Sequence, residues 1–201
     1  MTEHSNEKKR RDILREQGLT YDDYAAFDDG NRYELVDGRM ELMSPWPMSV
    51  HQLISRELEQ ELYDSCSERF IILHAPIDLI LSNVDVRQPD IVLIRRERFE
   101  EVVARRGIVG IPDVVVEIVS PSTLRRDKRD KLRTYAKYGI PEYWIADPDG
   151  ASLEQYILDG DRYEIMDVYQ GEEPIRSPNA PCASLAIGSL IARIPKIVRE
   201  D

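Results

Sequence analysis

Glu117 stands inside Asp113–Val119, a run in which five of seven residues are Val or Ile. That composition favours a strand, and apolarity on both faces favours a strand covered on both sides. Alternation puts Val115, Glu117 and Val119 on one face and Val114, Val116 and Ile118 on the other. Glu117 therefore points into packing, where a carboxylate is costly unless it is paired, hydrogen-bonded or bound to a metal. Proline-aspartate pairs precede two strand-like runs, at Pro89-Asp90 and Pro112-Asp113. Asp113 shares the face of Glu117 but lies ~13 Å along the strand, too far for both to bind one small cation at bonds of about 2.1 Å. Asp113 is expected to cap or turn the chain. Asp90 heads a separate run, Ile91–Arg95; if that strand lies beside 113–119, Asp90 and Glu117 converge across the gap.

The segment LRRDKRDKLRTYAKYG supplies cations. At helical spacing Leu124, Leu132, Tyr135, Ala136 and Tyr138 make its apolar face, and Arg126, Arg129, Arg133 and Lys137 point away. Lys128 and Lys131 fall on the apolar side, with Asp127 at its edge. A lysine aimed at a sheet can snorkel, pair with a carboxylate or serve chemistry. Two acids and a lysine near a strand end suit phosphoryl chemistry with Mg2+ or Mn2+: the acids hold the metal, and the lysine positions a water or stabilises charge in the transition state.

The elements that must position these groups read as follows. Thr20 caps a short helix, TYDDYAAFDD, ending at Gly30. Asp37-Gly38 joins strands at about 32–36 and 39–43 in a two-residue type I′ hairpin, and Asp159-Gly160 repeats the signal. SPWPM (44–48) is a loop. Ser49–Gln52 has capping-box form ahead of an amphipathic helix over 50–64. His51 lies in its first turn, where a structural hydrogen bond is the ordinary role. Residues 69–82 read as a strand bent near Pro76, 91–95 and 142–147 as strands, and about 124–138 as a helix. Residues 97–106 read as a short helix or loop, and 184–198 as a segment covering core. The whole is one α+β domain over 20–201, a mixed sheet with a few helices, behind a charged arm or helix over 1–19.

The chain has 201 residues, enough for a real core, and a net charge of −11. That charge argues against tight, general binding to duplex nucleic acid, although a local basic patch, such as RRDKRDKLR (125–133), is compatible with it. No apolar run approaches the ~20 residues that span a bilayer. The charged N-terminus shows no secretory signal, which suggests a cytoplasmic protein. In that setting Cys66 and Cys182 are expected to be reduced thiols, and their number and spacing give no zinc site.

The ordered set YELVDG (33–38), the histidine of PMSVHQL (47–53), RQPDIVLI (87–94), PDVVVEIVSPST (112–123), D-x-x-x-K (127–131) and Y-x-x-x-G-I-P-E-Y-W-I-x-D-P (135–148) closely resembles the Uma2 family. These proteins are regarded as restriction-endonuclease-like nucleases of the PD-(D/E)XK superfamily. The resemblance implies a restriction-endonuclease-like core, with Asp90 and Glu117 as metal ligands and the main-chain carbonyl of Ile118 as a further one. The superfamily pattern places a lysine two residues after Glu117, where this chain has Val119. Lys131 looks like the relocated lysine, with Lys128 in reserve. Glu34 resembles an N-terminal acid that assists metal binding, though strand alternation also allows it to face water. The implied function is a Mg2+- or Mn2+-dependent endonuclease acting on DNA, with a homodimer as a possible assembly. A catalytically silent binding module, or a hydrolase of another phosphate ester, are the competing readings.

Overall fold

In the computed structural model, which describes residues 17–43, 49–120 and 123–195, both Asp-Gly signals become hairpins. β1 (Tyr33–Val36) pairs with β2 (Arg39–Leu42) so that Val36 faces Arg39, leaving Asp37 and Gly38 as the central residues. Both have positive φ, 46° and 73°, as a type I′ turn requires. The second hairpin joins β11 (Ser152–Asp159) to β12 (Arg162–Gln170). There Asp159 pairs with Arg162, so the turn moves one residue on, to Gly160 and Asp161, with Gly160 at φ 64°. The N-terminal arm to residue 16 and the SPWPM loop lie outside the described residues.

The first helix, α1 (Tyr21–Ala26), opens with the expected cap: Thr20 and Asp23 form a reciprocal capping box. It stops at Phe27, short of Gly30, because Phe27 turns to extended geometry. The amphipathic helix is α2 (Ser49–Cys66), which buries Ile54, Leu58, Leu62 and Cys66. A short helix, α3 (Phe99–Val102), precedes the small β7 (Val103–Ala104) and β8 (Gly107–Ile108). The segment after SPST holds a π-helical turn, Arg126–Lys131, which runs into α4 (Leu132–Lys137). In the C-terminal segment α5 (Ile187–Ala192) buries Ile187 and Leu190.

The strands form two mixed six-stranded sheets rather than the single mixed sheet expected. The first has the order β2-β1-β5-β4-β8-β7, with β4 at Leu79–Ser82 and β5 at Asp85–Arg87. The second has the order β12-β11-β10-β9-β6-β3. Its centre is β9 (Val114–Ile118), parallel to β10 (Glu142–Asp147) and antiparallel to β6 (Ile91–Arg95). β3 (Phe70–His74) closes one edge. The predicted alternation along β9 holds. Val114, Val116 and Ile118 pack into one apolar cluster with α2 and α5, whereas Val115 and Val119 pack into another with Tyr135 and Tyr143.

The expectation of free thiols is overturned. Cys66, at the end of α2, and Cys182, in the C-terminal segment, form a disulfide with Cα atoms 5.2 Å apart. Both packing partners belong to one core cluster, so 116 residues of sequence separation disappear in space. Among the described residues, no helix is long and apolar enough to cross a membrane.

Candidate active site

Register brings the two acids together. Ile91 pairs with Val116 at the end of the β6–β9 ladder, and Asp90, one residue before β6, lies close enough to Glu117 for its charge to act on it. Two-residue alternation along β9 puts the Glu117 side chain on the face that carries Val115. Asp90 is fixed by the main chain on both sides. Its Oδ2 accepts the Ile118 N–H at 2.7 Å, and its own carbonyl accepts Ala75 N–H at 2.9 Å. His51, in the first turn of α2, reaches the same Oδ2 with Nε2 at 3.2 Å. Burial alone would lower the His51 pKa, but the hydrogen bond and charge of Asp90 raise it. Among the described residues the His51 Nδ1 is buried without a hydrogen-bond partner.

Glu117 is buried, and a single oxygen, Oε1, receives both of its close partners: Lys131 Nζ at 2.7 Å and the Tyr135 hydroxyl at 2.7 Å. Burial pushes the Glu117 carboxyl up, to about 8, against the pull of the Lys131 ammonium and with the push of the Asp90 and Asp127 carboxylates. Burial, and then the charge of Glu117, hold the Tyr135 hydroxyl well above its usual range, so it serves as a donor.

Lys131 is the hub of the acids. Besides Glu117, its Nζ lies 3.5 Å from Glu34 and 3.5 Å from Asp127. Burial opposes its charge, but the three carboxylates more than offset this and keep it an ammonium. Glu34 is fully buried, so the water-facing alternative is overturned. Its Oε1 accepts the Gln88 N–H at 3.0 Å, and its Oε2 sits 3.4 Å from both Arg87 and Arg126. Burial pushes Glu34 up, yet Lys131, Arg126 and Arg87 together hold it below the usual carboxylate range. Arg87, fully buried, extends the network to the Thr134 hydroxyl at 2.9 Å.

The family follows from the chain itself. A family model described as "Uma2: Putative restriction endonuclease" matches residues 20–187. The chain belongs to the Uma2 family. The comparison with curated proteins finds no match. Among solved structures, a "putative nuclease belonging to DUF820" from Anabaena variabilis ATCC 29413 is similar, with a TM-score of 0.71 and 18% identity over 87% of this chain and 98% of that one. At that identity the likeness shows a shared fold.

In this Uma2 chain the structure gathers Glu34, Asp90, Glu117 and Lys131 in one place. It removes Lys128, which pairs with Glu154 at 2.7 Å, and Asp113, which binds Arg95 N–H and Arg98 at the other end of β9. Four contributors were missed. α-Helical spacing puts Arg126 on the outer face. Residues five apart diverge by about 140° in an α-helix, but the π turn closes on i→i+5 bonds and brings Arg126 and Lys131 over the same acid. Tyr135 read as core, although a buried tyrosine hydroxyl needs a partner. Arg87, a charge in a strand, carried the same kind of signal as Glu117. His51, whose ordinary role in a first turn is structural, touches the candidate ligand Asp90.

The donors suit a hard divalent cation. Asp90 Oδ1 and Glu117 Oε2 have no hydrogen-bond partner among the described residues, and the Ile118 carbonyl lies on the same strand as Glu117. Among the described residues no three His, Cys, Asp or Glu side chains form a metal-holding group. Mg2+ commonly takes one or two carboxylates and keeps several waters, so a two-carboxylate site is compatible with it.

Proposed function

We propose that this Uma2 protein is a metal-dependent endonuclease that hydrolyses phosphodiester bonds in DNA, with Asp90, Glu117 and the Ile118 carbonyl holding Mg2+ or Mn2+. The observation that carries this reading is the placement of Asp90, one residue before β6, against the Glu117–Ile118 end of β9, where it accepts the Ile118 N–H; Asp90 and Glu117 each keep one carboxylate oxygen unengaged among the described residues, beside an ammonium 2.7 Å from Glu117. A divalent cation bound there supplies an acidified water and charge neutralisation at the phosphoryl oxygens. Lys131 donates to the attacking water or to the developing negative charge, and its burial strengthens that interaction relative to water. Glu34, with Arg87 and Arg126, fixes the position of Lys131 rather than contacting the phosphate. His51 and the Ile118 amide hold the Asp90 carboxylate in one orientation.

The test is incubation with supercoiled, linear and single-stranded DNA in Mn2+, Mg2+ or EDTA, with Glu117→Ala and Lys131→Ala alongside. Metal-dependent cleavage that disappears in a folded Glu117→Ala protein is expected. Cleavage that survives in EDTA, or in that variant, would overturn the assignment.

A further inference from the structure

A cleft of about 380 Å³ opens at the edge of the first sheet, between Pro76–Asp78, Gln88 and the β7–β8 hairpin. Two of its lining residues, Gln88 and Pro76, connect it to the candidate active site. Gln88 gives its N–H to Glu34 and lies two residues before Asp90. Pro76 follows Ala75, whose N–H is bonded to the Asp90 carbonyl. The rim is the two-residue turn Arg105-Arg106, both exposed. Arg106 lies over the Tyr21 ring, 5.0 Å from its centroid. Arg105 has no hydrogen bond or ion pair among the described residues, although the chain carries a net charge of −11. Arg32, also exposed, bonds the Gln88 side chain at 2.6 Å and adds a third cation near the floor. The acid in the cleft lining is Asp78, and its Oδ1 is engaged by Tyr24 and Gln88.

The hairpin is held rigidly. Ile108 N–H bonds the Asp78 carbonyl at 2.8 Å, and a Cβ on Gly107 would stand 2.6 Å from that same oxygen. Gly107 has φ 139°, so both space and backbone geometry require glycine. The arginines are thus presented on a pinned turn rather than a loose loop.

We infer that this cleft seats the sugar-phosphate backbone of the nucleic-acid strand being cut, with Arg105 on a phosphate. The inference rests on the nuclease reading above and assigns the path by which substrate leaves or enters the site. A charged, exposed guanidinium, unpartnered among the described residues, at the rim of a cleft meets the two needs of phosphate recognition, charge and paired donors.

The experiment is fluorescence anisotropy of a labelled oligonucleotide, single-stranded and duplex, titrated in EDTA over a range of salt. Wild type is compared with Arg105→Ala, Arg105→Glu and the remote control Arg162→Ala. Arg105→Ala is expected to bind several-fold more weakly and to reduce the log–log salt slope by about one. Arg105→Glu is expected to bind more weakly still, and Arg162→Ala to match wild type. Identical affinity and slope for all proteins, or no binding by wild type, would overturn the inference. Arg105-dependent binding without cleavage in any metal would leave the cleft standing and sink the nuclease reading instead.

Discussion

At the scale of single residues, Lys131 and Glu117 are unequal partners. Glu117 meets one cation, but Lys131 lies within 3.5 Å of three carboxylates. Removing Lys131 leaves a cluster of buried acids facing one another, whereas removing the charge of Glu117 leaves Lys131 with Glu34 and Asp127. Breaking a buried pair by deleting one partner costs about 3–5 kcal/mol. Lys131→Met is expected to reach that range in urea unfolding with EDTA present, and Glu117→Gln to cost clearly less. Equal losses would mean that the lysine is no hub. The same comparison separates a site built for a metal from a purely structural bridge, because Glu117→Gln also relieves repulsion with Asp90 and Asp127. A different buried acid shows what a purely structural role looks like. Glu142 is fully buried and is satisfied by Trp144, Gln155, Ser177 and Asn179, neutral donors that tie β10 to the C-terminal segment.

At the scale of elements, two tethers explain how the pieces stay in register. The Cys66–Cys182 disulfide joins the end of α2, whose first turn carries His51, to the segment leading into α5. It closes a loop of more than a hundred residues, for which chain-entropy reasoning gives roughly 4–5 kcal/mol. Reduction, or Cys66→Ser with Cys182→Ser, is expected to lower stability by about 2–5 kcal/mol, read as a fall in the urea midpoint; an unchanged midpoint would show that the bond constrains nothing. The second tether is Asp85 on β5, which accepts the Asp37 N–H, the Tyr138 hydroxyl and Lys137. Burial pushes its carboxyl up, but these donors hold it below the usual aspartate range. A carboxyl depressed in the folded state adds stability above its unfolded pKa and loses it as pH falls through the folded value. Stability should therefore fall with acid below about pH 4, and Asp85→Asn should show a smaller fall across that window than wild type.

Element by element, the sequence was readable where periodicity was long or chemistry forced a turn. Asp37-Gly38 forms its turn, the runs 91–95, 113–119 and 142–147 hold strands at Ile91–Arg95, Val114–Ile118 and Glu142–Asp147, and the first two lie side by side, the condition for Asp90 and Glu117 to converge. β5, β7 and β8 have two or three residues each, too few to show alternation, so the first sheet was unreadable as a sheet. The disulfide depends on a contact between distant segments, and Arg126 on a π turn that no α-helical count reveals.

At the scale of the whole molecule, ligand binding and folding are one equilibrium. A cation held by Asp90 and Glu117 binds the native state alone, so Mn2+ at 100 times its Kd should add about 2.7 kcal/mol of stability. Thermal unfolding should rise with Mn2+ in wild type and not in Asp90→Ala. A rise that persists in the variant would place the metal elsewhere. The position of Asp90 has one further consequence. Its carboxylate is aimed by the amide of Ile118, a group supplied by the peptide backbone and not by a side chain. Any residue other than proline at 118 donates the same N–H. The aim of this acid is therefore insulated from mutation at 118, and drifting sequences can repack the apolar cluster behind the strand while inheriting the geometry of the site.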